Sequence, residues 1–203
     1  VTIRANKSLT RTGNVIIQAP LIIESGGVLN IGAGPAAVLY GAPNLASGAT
    51  VDVQSNGLAI DYHNQASPVA KVQAQLISGY SQGEWNGDGI NTSSATALTG
   101  LGWMDDSASQ TILVKYTYYG DADLNGTVDS SDFNELVAMY GTNGNAIWSQ
   151  GDFNYDGKIN TVDFNWLAGN FGLTIQAPAS FGAVVPEPAT LSAVFVLWCC
   201  NCA

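Results

Sequence analysis

Over residues 15–62 the chain is written in short apolar runs cut by Gly and Asn, NVIIQAPLIIESGGVLNIGAG and then ASGATVDVQSNGLAIDY. Apolar and polar positions alternate within the runs (Val51 and Val53; Leu58 and Ile60), and Val and Ile dominate. A period of two with β-branched residues predicts strands of about five residues. Tight turns are expected at Gly26-Gly27, Ser47-Gly48 and Asn56-Gly57. Turns this close together suit either the last rungs of a β-solenoid or a small sandwich, and the runs are too loose to set a period.

The pattern then changes. Ser67 and Pro68 read as N-cap and first residue of a helix, with Val69, Val72, Leu76 and Ile77 on one face and Gly79 as its stop. A glycine-rich stretch with Trp85 follows, then a short helix predicted over 93–98. TILVKYTYYG, residues 111–120, predicts a strand with Ile112, Val114, Tyr116 and Tyr118 on one side. Two further helical patterns, FNELVAMYG (133–141) and FNWLAGNFG (164–172), share Phe, Asn, Leu, an aromatic and a final Gly at identical offsets. Phe133, Leu136, Val137 and Tyr140 make one apolar stripe, and Phe164, Leu167, Ala168 and Phe171 the other.

Composition narrows what such a chain does. With 203 residues and 46% hydrophobic content it can bury the core of one or two small domains. Only 11% of residues are charged, but 16 Asp and Glu face 6 Lys and Arg, a net charge of −10. No basic cluster is present to neutralise phosphates, so nucleic-acid binding is not expected. The 23 Gly, with many Ser, Thr, Asn and Ala, are typical of secreted β-rich surface proteins. Cys199, Cys200 and Cys202 all fall at the end of the chain and offer the remainder no disulfide framework. The chain opens at Val1 with no basic segment before an apolar one, so no signal peptide is read, and a fragment is expected.

The acids are concentrated: Asp121, Asp123, Asp129, Asp132, Glu135, Asp152, Asp156 and Asp163 lie within 121–163, opposed there only by Lys158. They form two loops, GDADLNGTVDSSDF and GDFNYDGKINTVDF, offset by 152 − 121 = 31 residues. A calcium loop of the form D-x-[DN]-x-[DN]-G-x₅-E needs side-chain oxygens at positions 1, 3, 5, 9 and 12, a carbonyl at 7, and Gly at the sharp turn of position 6. Loop 1 supplies Asp121, Asp123, Asn125, Gly126, the Thr127 carbonyl, Asp129 and Asp132; loop 2 supplies Asp152, Asn154, Asp156, Gly157, the Lys158 carbonyl, Asn160 and Asp163. Position 12 is Asp in both, and the apolar Val128 and Ile159 at position 8 are expected where the loops pack together. Clustered carboxylates repel one another unless a hard cation sits among them or water screens them. Asp, Asn and Gly also make ordinary surface turns, but two loops in register with matching flanks favour two Ca²⁺ sites.

No entering helix precedes either loop, so the unit is loop-helix, linker, loop-helix rather than the helix-loop-helix of an EF-hand sensor. With Gly before the first Asp and Asp at position 12, residues 120–173 resemble the type I dockerin family. The resemblance implies a noncatalytic, calcium-folded module that docks onto cohesin domains. It places the docking contacts at loop positions 10 and 11, here Ser130 and Ser131, then Thr161 and Val162, and on the helices that follow. Val162 departs from the hydroxyl pair, which counts against symmetrical two-way docking.

After the linker TIQAPASFGAV (174–184), Pro186, Glu187 and Pro188 lead into an apolar run and resemble a PEP-CTERM sorting signal. That likeness implies a bacterial exported protein processed by an exosortase-type membrane protease. The run from Ala189 to Cys200 has 200 − 189 + 1 = 12 residues, short of the roughly 20 a spanning helix needs, and no basic cluster follows it. The succession of parts is similar to the C-terminal part of large planctomycete-type exported surface proteins.

Catalysis is not expected from the residues present. His63, the one histidine, sits at the end of a predicted strand with no nucleophile context. Glu84, Asp88, Asp105 and Asp106 lie among Gly, Asn and Ser, a setting for surface loops more than for a glycosidase pair. Trp85 and Trp103 suit either a small core or a sugar-stacking face. The expected architecture is mixed: a β-rich region (1–62), a connecting α/β region ending in a strand (63–119), the dockerin-like pair (120–173), the linker (174–184) and the sorting tail (185–203). The expected function is attachment at the cell surface, through a cohesin-like protein or an extracellular polysaccharide matrix. Two alternatives remain: the end of a polysaccharide-degrading enzyme whose catalytic domain precedes Val1, and a carbohydrate-binding or adhesin module.

Overall fold

The computed structural model describes residues 1–63 and 65–175. Nine short strands wind into a three-faced parallel coil. The first rung is β1 (Thr2–Ile3), β2 (Ser8–Arg11) and β3 (Ile16–Ile17); the second is β4 (Ile22–Ile23), β5 (Val28–Ile31) and β6 (Ala37–Tyr40); the third is β7 (Asn44–Leu45), β8 (Thr50–Asp52) and β9 (Gly57–Asp61). Each strand pairs in parallel with the equivalent strand of the next rung, as in Thr2↔Ile22 and Ile22↔Asn44. Those pairs set the rung length, 22 − 2 = 20 and 44 − 22 = 22 residues. Strands this short, in rungs of unequal length, leave no fixed period in the sequence. The stacking answers the choice between rungs and sandwich in favour of rungs.

One corner of the coil repeats. The N–H of Lys7, Gly27 and Ala49 donates to the carbonyl of Arg4, Glu24 and Ala46 respectively, at 3.1, 2.8 and 3.0 Å. The third residue of each turn is left-handed: Asn6 (φ 54°), Gly26 (φ 68°) and Gly48 (φ 76°). Asn and Gly are the residues that adopt this conformation at least cost, which is why they punctuate the runs. The alternation turns Leu29, Ile31, Leu39, Val51, Val53, Leu58 and Ile60 into the coil, where all are buried.

Beyond the third rung the chain covers the end of the coil. Helix α1 (Val69–Tyr80) buries Val72 and Leu76. Pro68 is its N-cap rather than its first residue, and the helix ends at left-handed Ser81. Gly79 does not stop it: a Cβ there would lie 2.0 Å from the Ile90 carbonyl oxygen, so glycine admits the neighbouring strand. Ile77 faces solvent. Strand β10 (Gly89–Asn91) adds in parallel to β8, and the hairpin of β11 (Thr99–Asp106) and β12 (Thr111–Tyr118) adds antiparallel to β9. Residues 93–98 form turns, not the expected helix. Local and cross-chain bonds compete with the helix instead: Thr92, just before the segment, donates to the Gln54 carbonyl and accepts from the Ser94 N–H, Ser93 donates its N–H and hydroxyl to the Asp52 carboxylate, and Thr96 accepts from the Leu98 N–H.

The predicted strand over 111–120 is β12, but its alternation changes partway along. Ile112 and Val114 are buried on one side and Thr117 on the other. Here the hairpin is covered on both faces, because the two acidic loops and helices α2 (Ser130–Met139) and α3 (Thr161–Asn170) pack on its outer side. The fold is therefore β-rich and mixed, with three sheets and three α-helices among the described residues and no closed barrel. One apolar core runs from Ile3 to Leu167 across the boundaries expected near residues 62 and 119. No helix among the described residues is long and apolar enough to cross a membrane.

Candidate metal centre

The two acidic loops are built alike and exchange elements across an approximate two-fold relation. Gly120 and Gly151 precede them at φ 108° and 111°, Leu124 and Tyr155 stand at position 4 with φ 60°, and Gly126 and Gly157 take the turn at position 6. A Cβ on Gly120 would lie 2.8 Å from Cα of Leu167 in α3, and one on Gly151 would lie 3.1 Å from Cα of Leu136 in α2. Each loop thus starts against the other repeat's helix.

Position 8 follows the same rule: Val128 and Ile159 are fully buried, and the backbone of each pairs with the chain beyond the opposite helix. Val128 donates to the Leu173 carbonyl at 3.0 Å and accepts from Gly172 at 2.8 Å, both just beyond α3. Ile159 donates to the Thr142 carbonyl at 3.0 Å and accepts from Gly141 at 2.9 Å, just beyond α2. A strand-like contact needs an extended neighbour, and the chain leaving the opposite helix is the one within reach.

The position 12 carboxylates tie each loop to its helix. Asp132 Oδ1 accepts from the Ala122 N–H at 2.8 Å and Oδ2 from the Asp129 N–H at 2.8 Å; Asp163 accepts from Phe153 and Asn160, both at 3.0 Å. Asp129 and Asn160 cap the helices from the other side by accepting from Ser131 and Val162. Asp suffices at position 12 because this reach is short. Further Asx bonds close both loops: Asn125 and Thr127 donate backbone N–H to Asp123 and Asn125, and Asp156 and Lys158 donate to Asn154 and Asp156.

This wrapping buries negative charge. Asp121, Asp132, Asp152 and Asp163 are all at most 2% exposed. Burial pushes the Asp121 carboxyl up to about 6 and the Asp152 carboxyl up to about 7, with neighbouring carboxylates adding to both. Asp132 and Asp163 are also raised, burial again being the main cause. One oxygen each of Asp121, Asp123 and Asp132 lies within 4.8 Å of the others, a spacing that can hold a cation. Asp121 Oδ2 accepts from Thr117 Oγ1 and from the Gly126 N–H at 3.0 Å, whereas Oδ1, fully buried, has no partner among the described residues. Loop 2 forms no such carboxylate trio, because Asn154 occupies its position 3, and both oxygens of Asp152 accept backbone N–H groups.

The other sequence-predicted residues fall in three places. Ser130, Ser131, Thr161 and Val162 are exposed together at the starts of α2 and α3, and Tyr140 reaches Thr161 across the pair, Oη to Oγ1 at 2.9 Å. The two apolar stripes are not buried as stripes: Leu136 and Leu167 go inside, while Phe133, Val137, Tyr140, Phe164, Ala168 and Phe171 face solvent. Leu136 is the one buried apolar residue of α2, and α3 adds only half-buried Trp166, its ring 4.5 Å from that of Tyr119, to Leu167, which leaves most of both stripes outside with the Phe133 and Phe164 rings 6.5 Å apart. Pro186, Glu187, Pro188 and the terminal cysteines lie outside the described residues.

Trp85 and Trp103 are core residues, 2% and 1% exposed, so neither offers a face for stacking on a sugar. Asp88 accepts from the Gly48 N–H, Asp105 from the Tyr62 hydroxyl, and Asp106 from the turn at Ala108 and Ser109. Glu84 lines a cleft of about 290 Å³ with Asp52, whose carboxylate is occupied by Gln54 and Ser93. His63 is exposed and contacts Asp61, whose carboxyl is held below the usual range by bonds from the His63 backbone and ring.

Sequence reasoning missed Leu124, Tyr155 and Thr117. The signal for the first two is an apolar or aromatic residue at position 4 of otherwise polar loops. Nothing local marks Thr117. No family model, curated protein or solved structure matches the chain.

Proposed function

We propose that the two loops bind one Ca²⁺ each and that the helices they cap form a docking face, making the chain a noncatalytic attachment protein of the dockerin type. The observation that carries this reading is the buried Oδ1 of Asp121, without a partner among the described residues, beside Asp123 and Asp132. A buried anionic oxygen without a partner costs several kcal/mol unless a proton or a cation joins it. The remaining ligands are Asn125, the Thr127 carbonyl and Asp129 in loop 1, and Asp152, Asn154, Asp156, the Lys158 carbonyl, Asn160 and Asp163 in loop 2. An all-oxygen set built on flexible loops suits Ca²⁺ better than Mg²⁺, which demands tighter octahedral geometry.

The exposed apolar residues of α2 and α3 support docking on a protein surface, since contiguous patches of this kind on soluble proteins mark interaction sites. Ser130, Ser131, Thr161 and Val162 rim the patch, as contact residues for a cohesin-like partner or an extracellular matrix component. Export to a bacterial cell surface, with processing at Pro186–Pro188, belongs to the same proposal.

Calorimetric titration of the full chain with CaCl₂ tests it. Two ions per chain are expected, falling to one in Asp121→Ala and in Asp152→Ala. Unchanged stoichiometry in both variants, or no binding by the wild type, overturns the metal assignment.

A further inference from the structure

The end of a parallel β-coil exposes the backbone and apolar interior of its last rung, and such ends need a cover. In this chain the first layer of that cover is α1, β10 and the β11-β12 hairpin, and the acidic loops form a second layer on top of it. β11 is shaped to receive that layer. Gly102 has no side chain, and a Cβ there would lie 2.5 Å from Trp148 Nε1 and 2.6 Å from Leu124 Cδ2, while Gly100 makes room for the Trp85 ring, 2.6 Å from where its Cβ would be. Glycine inside a strand weakens it unless something must approach closely, and here the approaching groups are a loop residue and a linker tryptophan.

The residue at position 4 enters the β layer from both loops. Leu124 is 6% exposed and Tyr155 is 8% exposed. Tyr155 donates its hydroxyl to the Leu101 carbonyl at 2.6 Å, and its ring lies 5.0 Å from Tyr80, 5.8 Å from Trp85 and 5.8 Å from Trp148. Two more bonds cross the same boundary: Lys115 Nζ donates to the Leu124 carbonyl at 2.7 Å and Asn170 Nδ2 to the Tyr119 carbonyl at 2.7 Å. Within the loop layer, Trp148 Nε1 donates to the Asp121 carbonyl at 2.7 Å and ties the linker to loop 1. The closed loop turns positions 1, 3 and 5 inward, and the left-handed backbone at position 4 turns that side chain outward into the β layer.

We infer that the loop pair is a cation-dependent end cap of the β-coil, in which Leu124 and Tyr155 couple loop closure to the packing of β11 and α1. The inference rests on the calcium reading above. Filling a loop holds position 4 in the β layer, so the free energy of cation binding stabilises the last rung as well as the loops. The reverse also holds: removing the cation loosens a strand that touches no ligand.

Hydrogen exchange of the full chain, in EDTA and in CaCl₂, tests the coupling, with calorimetry on the same sample. At calcium one hundred times above its dissociation constant, an opening that releases an ion slows about 100-fold. The 99–106 amides of β11 are therefore expected to slow by about that factor, together with those of the loops. In Tyr155→Phe, which keeps the ring and removes only the bond to Leu101, two ions should still bind and β11 protection should drop about fivefold, the effect of one hydrogen bond. Two bound ions with β11 exchange unchanged by calcium would overturn the cap while leaving the calcium sites standing. No bound ion would overturn both.

Discussion

Asp121 and Asp152 carry opposite demands, burial and charge, and their carboxyls respond by holding protons more tightly than in the unfolded chain. The sign follows from linkage. Between the ordinary value of 3.8 and about 6 to 7 the folded state binds more protons, so metal-free stability falls as pH rises through that window and levels off above it. Asp61 and Asp106 are shifted downward and act only below 3.8, outside this window. In EDTA the urea midpoint should therefore decline as pH rises from 4 to 7, and saturating Ca²⁺ should remove the decline, because cation replaces proton. A midpoint that rises with pH in EDTA would contradict the burial of these carboxyls. The loops' acidic spacing was readable at this scale because it is written within a few residues, and the clustering of Asp121, Asp123 and Asp132 follows it. The unpartnered Oδ1 was not, since it depends on Thr117 and Gly126 claiming the other oxygen.

At the scale of elements, the loop-helix repeats were readable because both hydrophobic period and capping chemistry are local. Their exchange was not. Gly120 looks like an ordinary turn residue, yet it is the point where α3 touches loop 1, just as Gly151 is where α2 touches loop 2. Gly120→Ala combines an unfavourable φ with a clash against helix backbone and should destabilise by about 2–3 kcal/mol, read by urea denaturation. Leu136→Ala should cost about 3 kcal/mol, since the leucine is fully buried against Gly151. By contrast Val137→Glu, one position along the same helix but half exposed, should leave stability within about 0.5 kcal/mol. Equal losses for Leu136 and Val137 would refute the orientation of α2. The predicted helix over 93–98 failed for a related reason: the hydroxyls of Ser93 and of Thr92 just before it found partners on β8 and on the chain beyond it that only the folded coil brings near.

For the whole molecule, the exposed patch of Phe133, Val137, Tyr140, Phe164 and Phe171 is where attachment is expected to act. Phe164→Ser combined with Val137→Glu should abolish binding to a cohesin-type partner, measured by surface plasmon resonance, while two Ca²⁺ still bind; unimpaired binding would move the docking face elsewhere. The sequence by itself determined the strand and helix character of most segments, the acidity, and the duplicated loops. Each of these depends on residues within a few positions of one another. Tertiary structure decided the winding of the strands into a three-faced coil, which faces of α2 and α3 stay outside, the burial of Trp85 and Trp103, and the seating of Leu124 and Tyr155 on β11. Those depend on contacts between residues tens of positions apart, and alternation or helical period constrains which side of an element is apolar without saying what will lie against it.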